Sequence, residues 1–319
     1  MASEFELIDR YFRRPTRQTI VGVGDDGAIV RPSPGMELVI STDMLVAGTH
    51  FLPNADPEDL GWKTLAVNVS DMAAMGATPR WALLAAALPA ATETWIAAFA
   101  KGFFACADAF GIDVIGGDTT KGPRNFCVTI FGEVPHGQAL LRSGARAGDE
   151  VWVSGRPGFA ALGLAHLQGR CVLAEPALTA CLAALQHPQP RVALGLALRG
   201  VASAAIDVSD GLLADLGHIL DESRVAAHID FEKLPTEALT LGTDVELSRD
   251  CLLAGGDDYE LAFTAAASRH AEIEAIAASL RLALTCIGSI ENGAPGELRL
   301  FEDGQPVAQQ RRGFDHFSS

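Results

Sequence analysis

Val114-Ile115-Gly116-Gly117-Asp118-Thr119-Thr120 joins an apolar, β-branched run to two glycines, an aspartate and two hydroxyls. The apolar run predicts a strand. The glycine pair lets the backbone turn and come close to a ligand, and an aspartate just past a strand end can hold a hard cation. The design recurs. Leu38-Val39-Ile40-Ser41-Thr42-Asp43 and Ala204-Ala205-Ile206-Asp207-Val208-Ser209-Asp210-Gly211 are strands that deliver hydroxyls and acids. Gly24-Asp25-Asp26 and Gly255-Gly256-Asp257-Asp258 place acidic pairs after glycines. Together they point to an oxygen-rich cage for Mg²⁺ with a phosphate ligand.

Such a cage needs a glycine-turned α/β scaffold, and composition agrees. The chain has 319 residues, 49% of them hydrophobic, with 32 glycines and 7% aromatics. One large domain or two of ordinary size are expected. The net charge of −16 disfavours nucleic acid and anionic membranes, which call for basic patches. It does not exclude a phosphate substrate, because bound Mg²⁺ reverses the local sign. Six scattered cysteines form no C-x-x-C pair, which argues against zinc and for reduced thiols in a cytoplasmic protein. Residues 1–17 resemble neither a signal peptide nor a membrane span.

Taken in order, a short helix is expected from Ser3, with Glu6 completing a capping box. Gly22-x-Gly24-x-x-Gly27 matches the dinucleotide fingerprint formally. That fingerprint must open a helix, whereas Ala28–Pro34 reads as a short strand running into prolines. Asp56-Pro57-Glu58-Asp59 starts a helix that runs to about Met75. Asp71 then sits in its last turn, against the negative end of the dipole, where a cation would explain it; the alternative is a solvated surface aspartate. Strands are expected at 81–88, around Asp118 and at 125–134, with a helix at 92–110 capped by Thr92. The first half therefore reads strand, strand, helix, strand, helix, strand, strand.

The basic, glycine-punctuated stretch 138–149 marks a boundary, drawn as domains 1–142 and 143–319. The second half alternates strands (150–153, 202–206, 228–231, 257–263, 285–290, 297–301) with helices (159–167, 177–185, 191–199, 212–220, 269–280). Ser209-Asp210-Gly211 opens the helix at 212, a place for phosphate to meet backbone N–H groups. Arg142 could hold a phosphate bidentately or be a solvent-facing linker arginine. His50 could equally be a loop histidine satisfied by backbone.

No Walker A, protein-kinase, nucleophile-elbow or H-E-x-x-H motif occurs. Phosphoryl transfer nevertheless needs mainly positioning and neutralisation of oxygens. Lysine occurs only at 63, 101, 121 and 233, which suits a site run by metal ions rather than a lysine clamp.

Gly22-Val23-Gly24-Asp25-Asp26, Ser41-Thr42-Asp43, Asn68-Val69-Ser70-Asp71-Met72-Ala73-Ala74-Met75-Gly76, the Asp118 segment and Arg142-Ser143-Gly144 closely resemble thiamine-monophosphate kinases. So do Ile206–Gly211, Gly255–Leu261 and the terminal Gly313-Phe314-Asp315-His316-Phe317. Several of these motifs are shared with aminoimidazole-ribonucleotide synthetase, selenophosphate synthetase and a hydrogenase maturation protein. The resemblance implies ATP-dependent, Mg²⁺-assisted phosphorylation of thiamine monophosphate to thiamine diphosphate by direct transfer, with no catalytic side chain. It implies a two-domain PurM-like α/β (α+β) fold. The N-terminal domain would bind ATP and Mg²⁺ and pair into a homodimer, and the C-terminal domain would complete the nucleotide and substrate site.

Carried over by position, Asp26, Ser41, Thr42, Asp43, Asp71, Asp118, Asp207 and Asp210 are the implied metal ligands. Gly117, Asp118, Arg142 and Ser209 are implied ATP contacts, and His50, Asp258 and Phe314 substrate contacts. Two positions depart from the family: Asp257 stands where glutamate is frequent, and Phe314 where a phenol or indole can occur. The alternatives are another ATP-using member, such as a selenophosphate synthetase, or a non-catalytic nucleotide-binding protein. Residues 1–62 hold neither the Cys nor the Lys that a selenophosphate synthetase carries near its N-terminus.

Overall fold

The computed structural model describes residues 4–90, 92–241, 244–308 and 313–314. Two compact units emerge, one of Met1–Met72 with Ala77–Gly137 and one of Ala73–Gly76 with Gln138–Ser319. The units part at Gly137–Gln138, whereas the sequence suggested 142/143. The expected cap Ser3 and the terminal residues Asp315, His316 and Phe317 lie outside the described residues.

The first unit opens with α1 (Glu4–Leu7), which widens into a helical turn over Ile8–Phe12. Strands β1 (Thr19–Val21) and β2 (Ile29–Val30) form a small antiparallel ribbon. No helix follows Gly27, so the dinucleotide fingerprint is a formal match only. Then come β3 (Met36–Val46), α2 (Pro57–Ala74), β4 (Thr78–Leu88), α3 (Glu93–Phe110), β5 (Asp113–Lys121) and β6 (Asn125–Pro135). The sheet order is β3-β6-β4-β5, antiparallel except for β4 with β5, which α3 connects.

Asp56 caps α2 by accepting from the N–H groups of Glu58 and Asp59 at 2.8 and 3.3 Å. Thr92 occupies the cap position of α3 but makes no side-chain cap bond. The two helices approach backbone to backbone. A Cβ on Gly61 would lie 2.0 Å from the Phe99 carbonyl oxygen, and one on Gly102 1.8 Å from that of Glu58. Beneath them Phe99 and Phe126 stack at 4.5 Å. Two buried acids fasten the N-terminal segment to the sheet. Asp113 accepts from the N–H groups of Arg17 and Gln18 and the Thr19 hydroxyl. Glu133 accepts from Ser33 and from the Arg80 guanidinium at 2.8 Å.

Two strands are longer than expected. β3 continues through Asp43 to Val46 and β5 through Asp118 to Lys121, so these aspartates sit within strands rather than beyond them. The reason is the ladder: β3 pairs with β6 along its whole length, Asp43 opposite Val128.

The second unit contains β7 (Asp149–Ser154), α4 (Phe159–Leu167), α5 (Ala177–Gln186), α6 (Val192–Ala197), β8 (Ala204–Val208), α7 (Leu212–Ser223) and β9 (Ala226–Asp230). It continues with α8 (Val245–Ala254), β10 (Glu260–Ala266), α9 (His270–Leu280), β11 (Leu284–Glu291), β12 (Leu298–Glu302) and β13 (Gln305–Val307). The sheet order is β13-β12-β9-β11-β7-β10-β8, antiparallel except for β12 with β9. Helices cover both faces. Val151, Val153, Ile206 and Val208 pack in one core with Leu212 and Leu252, while Trp152, Ala205 and Phe263 pack in the other with Leu194 and Ile273. That explains why β8 is buried at every residue. The sequence reading missed α8, which Asp244 caps through the N–H groups of Glu246 and Leu247. It also missed β13, reached by an Asp303-Gly304 turn with both residues at positive φ, a common two-residue hairpin. No described helix is long and apolar enough to cross a membrane.

Candidate active site

In the first unit the acids meet where β3 faces α2. Ser41 and Asp43 are two residues apart on a strand and so share a face. Asn68 and Asp71 are three apart on a helix and share a face as well. The Ser41 hydroxyl donates to Asp71 Oδ2 at 2.5 Å, and the Asp43 N–H donates to Asn68 Oδ1 at 3.1 Å. Asn68 is buried and donates in turn to the Thr64 carbonyl. It is a site residue to which sequence reasoning gave no role, although its spacing from Asp71 was a usable signal.

Thr42 points the other way. Its hydroxyl bonds to the Val128 carbonyl at 2.9 Å and pairs with the Thr129 hydroxyl. Only its main chain can join Ser41 and Asp43. Gly117 lies on Asp43's row, which runs Asp43, Val128, Leu84, Gly117 across the sheet, with β6 and β4 between them. Its φ is +148°, and a Cβ there would sit 1.8 Å from the Leu84 carbonyl oxygen. Asp118 follows, exposed. Asp26 is exposed in the loop between β1 and β2, its N–H bonded to Asp25. His50 accepts the Val46 N–H on Nδ1 at 3.0 Å, which puts the proton of the neutral ring on Nε2. The backbone-satisfied histidine is thus real, and it fixes the tautomer.

In the second unit the acids gather around the turn between β8 and α7. Asp207 lies buried in β8, and Ser209 and Asp210 follow. The N–H groups of the turn leading into α7 are engaged from within. The N–H groups of Ser209, Asp210 and Gly211 all donate to Asp215 Oδ2, at 3.0, 3.0 and 3.1 Å. A carboxylate one turn into the helix has taken these three donors. Burial pushes the Asp215 carboxyl up to about 7, against the pull of those backbone bonds.

The carbonyl oxygens of the turn are held too. Ser209 accepts from the Asp257 N–H at 2.8 Å and Asp210 from the Phe314 N–H at 2.9 Å. Phe314 is thereby brought to Asp210, its side chain 43% exposed. Asp257 and Tyr259 both adopt left-handed backbone, φ +70° and +51°, a strain that non-glycine residues rarely carry. Between them Asp258 accepts from the N–H groups of Gly158 and Ala160 at the start of α4. Burial raises its carboxyl well above the usual range. Any substrate contact must use acceptor capacity beyond these two bonds. Arg142 is exposed, and its carbonyl accepts from Ser223.

Comparison with known proteins places this arrangement. Residues 24–134 match the AIR synthase related protein family, N-terminal domain. A thiamine-monophosphate kinase of Salmonella typhimurium is 44% identical over 321 residues, covering 99% of this chain and 98% of its own. The chain belongs to the thiamine-monophosphate kinase family. The crystal structure of the Stenotrophomonas maltophilia member is 47% identical, with a TM-score of 0.84 over 96% of this chain and 98% of that one. AaThiL complexed with AMPPCP and TMP is 32% identical, with a TM-score of 0.75 over 98% and 97%. The mixed sheets of both units are those of the PurM-like fold.

Thiamine-monophosphate kinases are expected to use Mg²⁺, and the donor chemistry here fits it. Ser41, Asp43 and Asp71 in the first unit, and Asp207, Ser209 and Asp210 in the second, offer oxygen only. Mg²⁺ retains waters and needs one or two carboxylates. Among the described residues no three His, Cys, Asp or Glu side chains form a ready metal cluster.

Proposed function

We propose that this chain transfers the γ-phosphoryl group of ATP to thiamine monophosphate, giving ADP and thiamine diphosphate. The observation that carries the reading is full-length kinship with thiamine-monophosphate kinases, together with carboxylates and hydroxyls gathered at β3–α2 and at the turn between β8 and α7. Asp26, Ser41, Asp43, Asp71, Asp118, Asp207 and Asp210, with the Thr42 main chain, are the proposed Mg²⁺ ligands. Bound there, Mg²⁺ neutralises phosphate oxygens, the main demand of phosphoryl transfer.

The chain's own groups orient the reactants. Gly117 is proposed as a bare stretch of β5 backbone for a nucleotide to approach; a Cβ there would strike the Leu84 carbonyl oxygen of β4. Asp118, Arg142 and Ser209 are the proposed ATP contacts. Nε2–H of His50, the ring of Phe314 and Asp258 are the proposed substrate contacts, Phe314 offering a flat face to an aromatic ring of thiamine. The Ser41 hydroxyl faces the Asp71 carboxylate, but both are proposed metal ligands rather than a nucleophile and its base, and the transfer is direct. Incubation with γ-labelled ATP tests this: label should appear in thiamine diphosphate and never on the protein, and labelled protein formed without acceptor would contradict it.

A homodimer through the first unit is part of the same proposal. The face of its sheet turned away from Ser41 and Asp43 carries Leu38, Ile40 and Met44, exposed by 40%, 58% and 53%. An apolar sheet face of this kind marks an association surface.

A further inference from the structure

We propose that Asp215 is a positioning residue that turns the start of α7 from an anion site into a platform for a cation. The inference rests on reading Ser209 and Asp210 as nucleotide and metal contacts. A helix N-terminus normally presents unpaired N–H groups, and these attract phosphate directly. Here the N–H groups of Ser209, Asp210 and Gly211 converge on one oxygen of Asp215, and that residue is 2% exposed. These three N–H groups are therefore not available to a bare phosphate.

What remains outward are the side chains of Ser209 and Asp210. Their main chain is fixed on the donor side by Asp215, and on the acceptor side by the N–H groups of Asp257 and Phe314. With these three donors taken, phosphate meets the turn through a metal ion held by Asp210. Asp215 contributes no atom to that contact; it sets the backbone from which the contact is made.

The test is the affinity of the full chain for a non-hydrolysable ATP analogue, measured calorimetrically with and without Mg²⁺. The quantity read is the ratio of the two affinities. In Asp215→Ala the freed N–H groups and the loosened turn should lower this ratio roughly 10- to 100-fold, the usual range for a group supporting a metal ligand. Asp215→Asn keeps an acceptor oxygen and should lower it less, by about fivefold.

Asp149→Asn serves as the structural control. Asp149 is also buried in this unit and bonds to Arg146 and Ser203, so its loss should lower the melting temperature and leave the ratio unchanged. Asp210→Asn separates the two layers of the argument. If its ratio falls while those of both Asp215 variants match wild type, the role of Asp215 is overturned and the reading of Asp210 stands. If the Asp210→Asn ratio is also unchanged, the reading of the turn itself fails and this inference with it. Should Asp215→Ala not fold, an unchanged ratio in Asp215→Asn overturns the inference alone.

Discussion

Ser41 donates its hydroxyl hydrogen to Asp71 across 2.5 Å, joining β3 to the last turn of α2. That carboxylate faces the negative end of a helix dipole, an unfavourable place by about 0.3–1 kcal/mol. A bound cation would offset that cost, so the position makes sense as a metal ligand. Asp71→Asn should therefore melt within a few degrees of wild type yet lose turnover by roughly 100-fold. Asp43→Asn should behave alike, because its N–H bond to Asn68 runs through the main chain and survives the substitution. Near-normal turnover in either variant, measured with saturating Mg²⁺, would remove that residue from the cage.

Gly117→Ala meets the Leu84 carbonyl oxygen and a φ of +148° at once. Such strain costs about 1–3 kcal/mol. The variant should unfold at lower denaturant and bind the ATP analogue at least about tenfold more weakly, since 1.4 kcal/mol is a factor of ten. Unaltered binding would show that the nucleotide does not use this stretch of β5.

The sequence made the acidic turns and most elements readable because each acid follows an apolar run that is itself a strand. It did not show where those strands stop. Asp43 and Asp118 lie inside β3 and β5 because cross-strand pairing, set by partners distant in sequence, overrides the local polarity. Helix α8 was missed because Asp244 and its exposed neighbours look like loop, although Asp244 is a good cap. At the start of α7, spacing identifies a helix N-terminus, but it does not show that Asp215 reaches back to the N–H groups of Ser209, Asp210 and Gly211.

Stability has a buried ion pair at its centre in the second unit. Glu260 receives the Arg191 guanidinium through two bonds of 2.6 Å and the Ser154 hydroxyl at a further 2.6 Å. Arg191→Ala leaves that carboxylate buried without its cation, a loss of about 3–5 kcal/mol. Chemical denaturation measures it. A loss under about 1 kcal/mol would class the pair with surface salt bridges.

Glu133 gives a pH signature. Burial pushes its carboxyl up, but the Ser33 N–H and hydroxyl and the Arg80 guanidinium outweigh that and hold it below its ordinary 4.5. A carboxyl depressed on folding stabilises the folded state above its unfolded value, and that contribution is lost as pH falls through the folded value. The stability gap between wild type and Glu133→Gln should thus be constant from pH 7 to pH 5 and shrink under further acidification. A gap that widened in acid would mean the carboxyl is raised instead.

Ile40, more than half exposed on the outer face of the first sheet, should be covered in solution by a second copy. Ile40→Glu should convert a dimer to monomers in sedimentation. A wild-type chain that sediments as a monomer would refute the pairing.

The most direct test of the central claim is product formation from ATP and thiamine monophosphate, with and without Mg²⁺, with thiamine and selenide as control acceptors. The predicted result is thiamine diphosphate from the monophosphate alone, and only when Mg²⁺ is present. ATP binding without thiamine diphosphate, or turnover on selenide in its place, would contradict the proposed reaction.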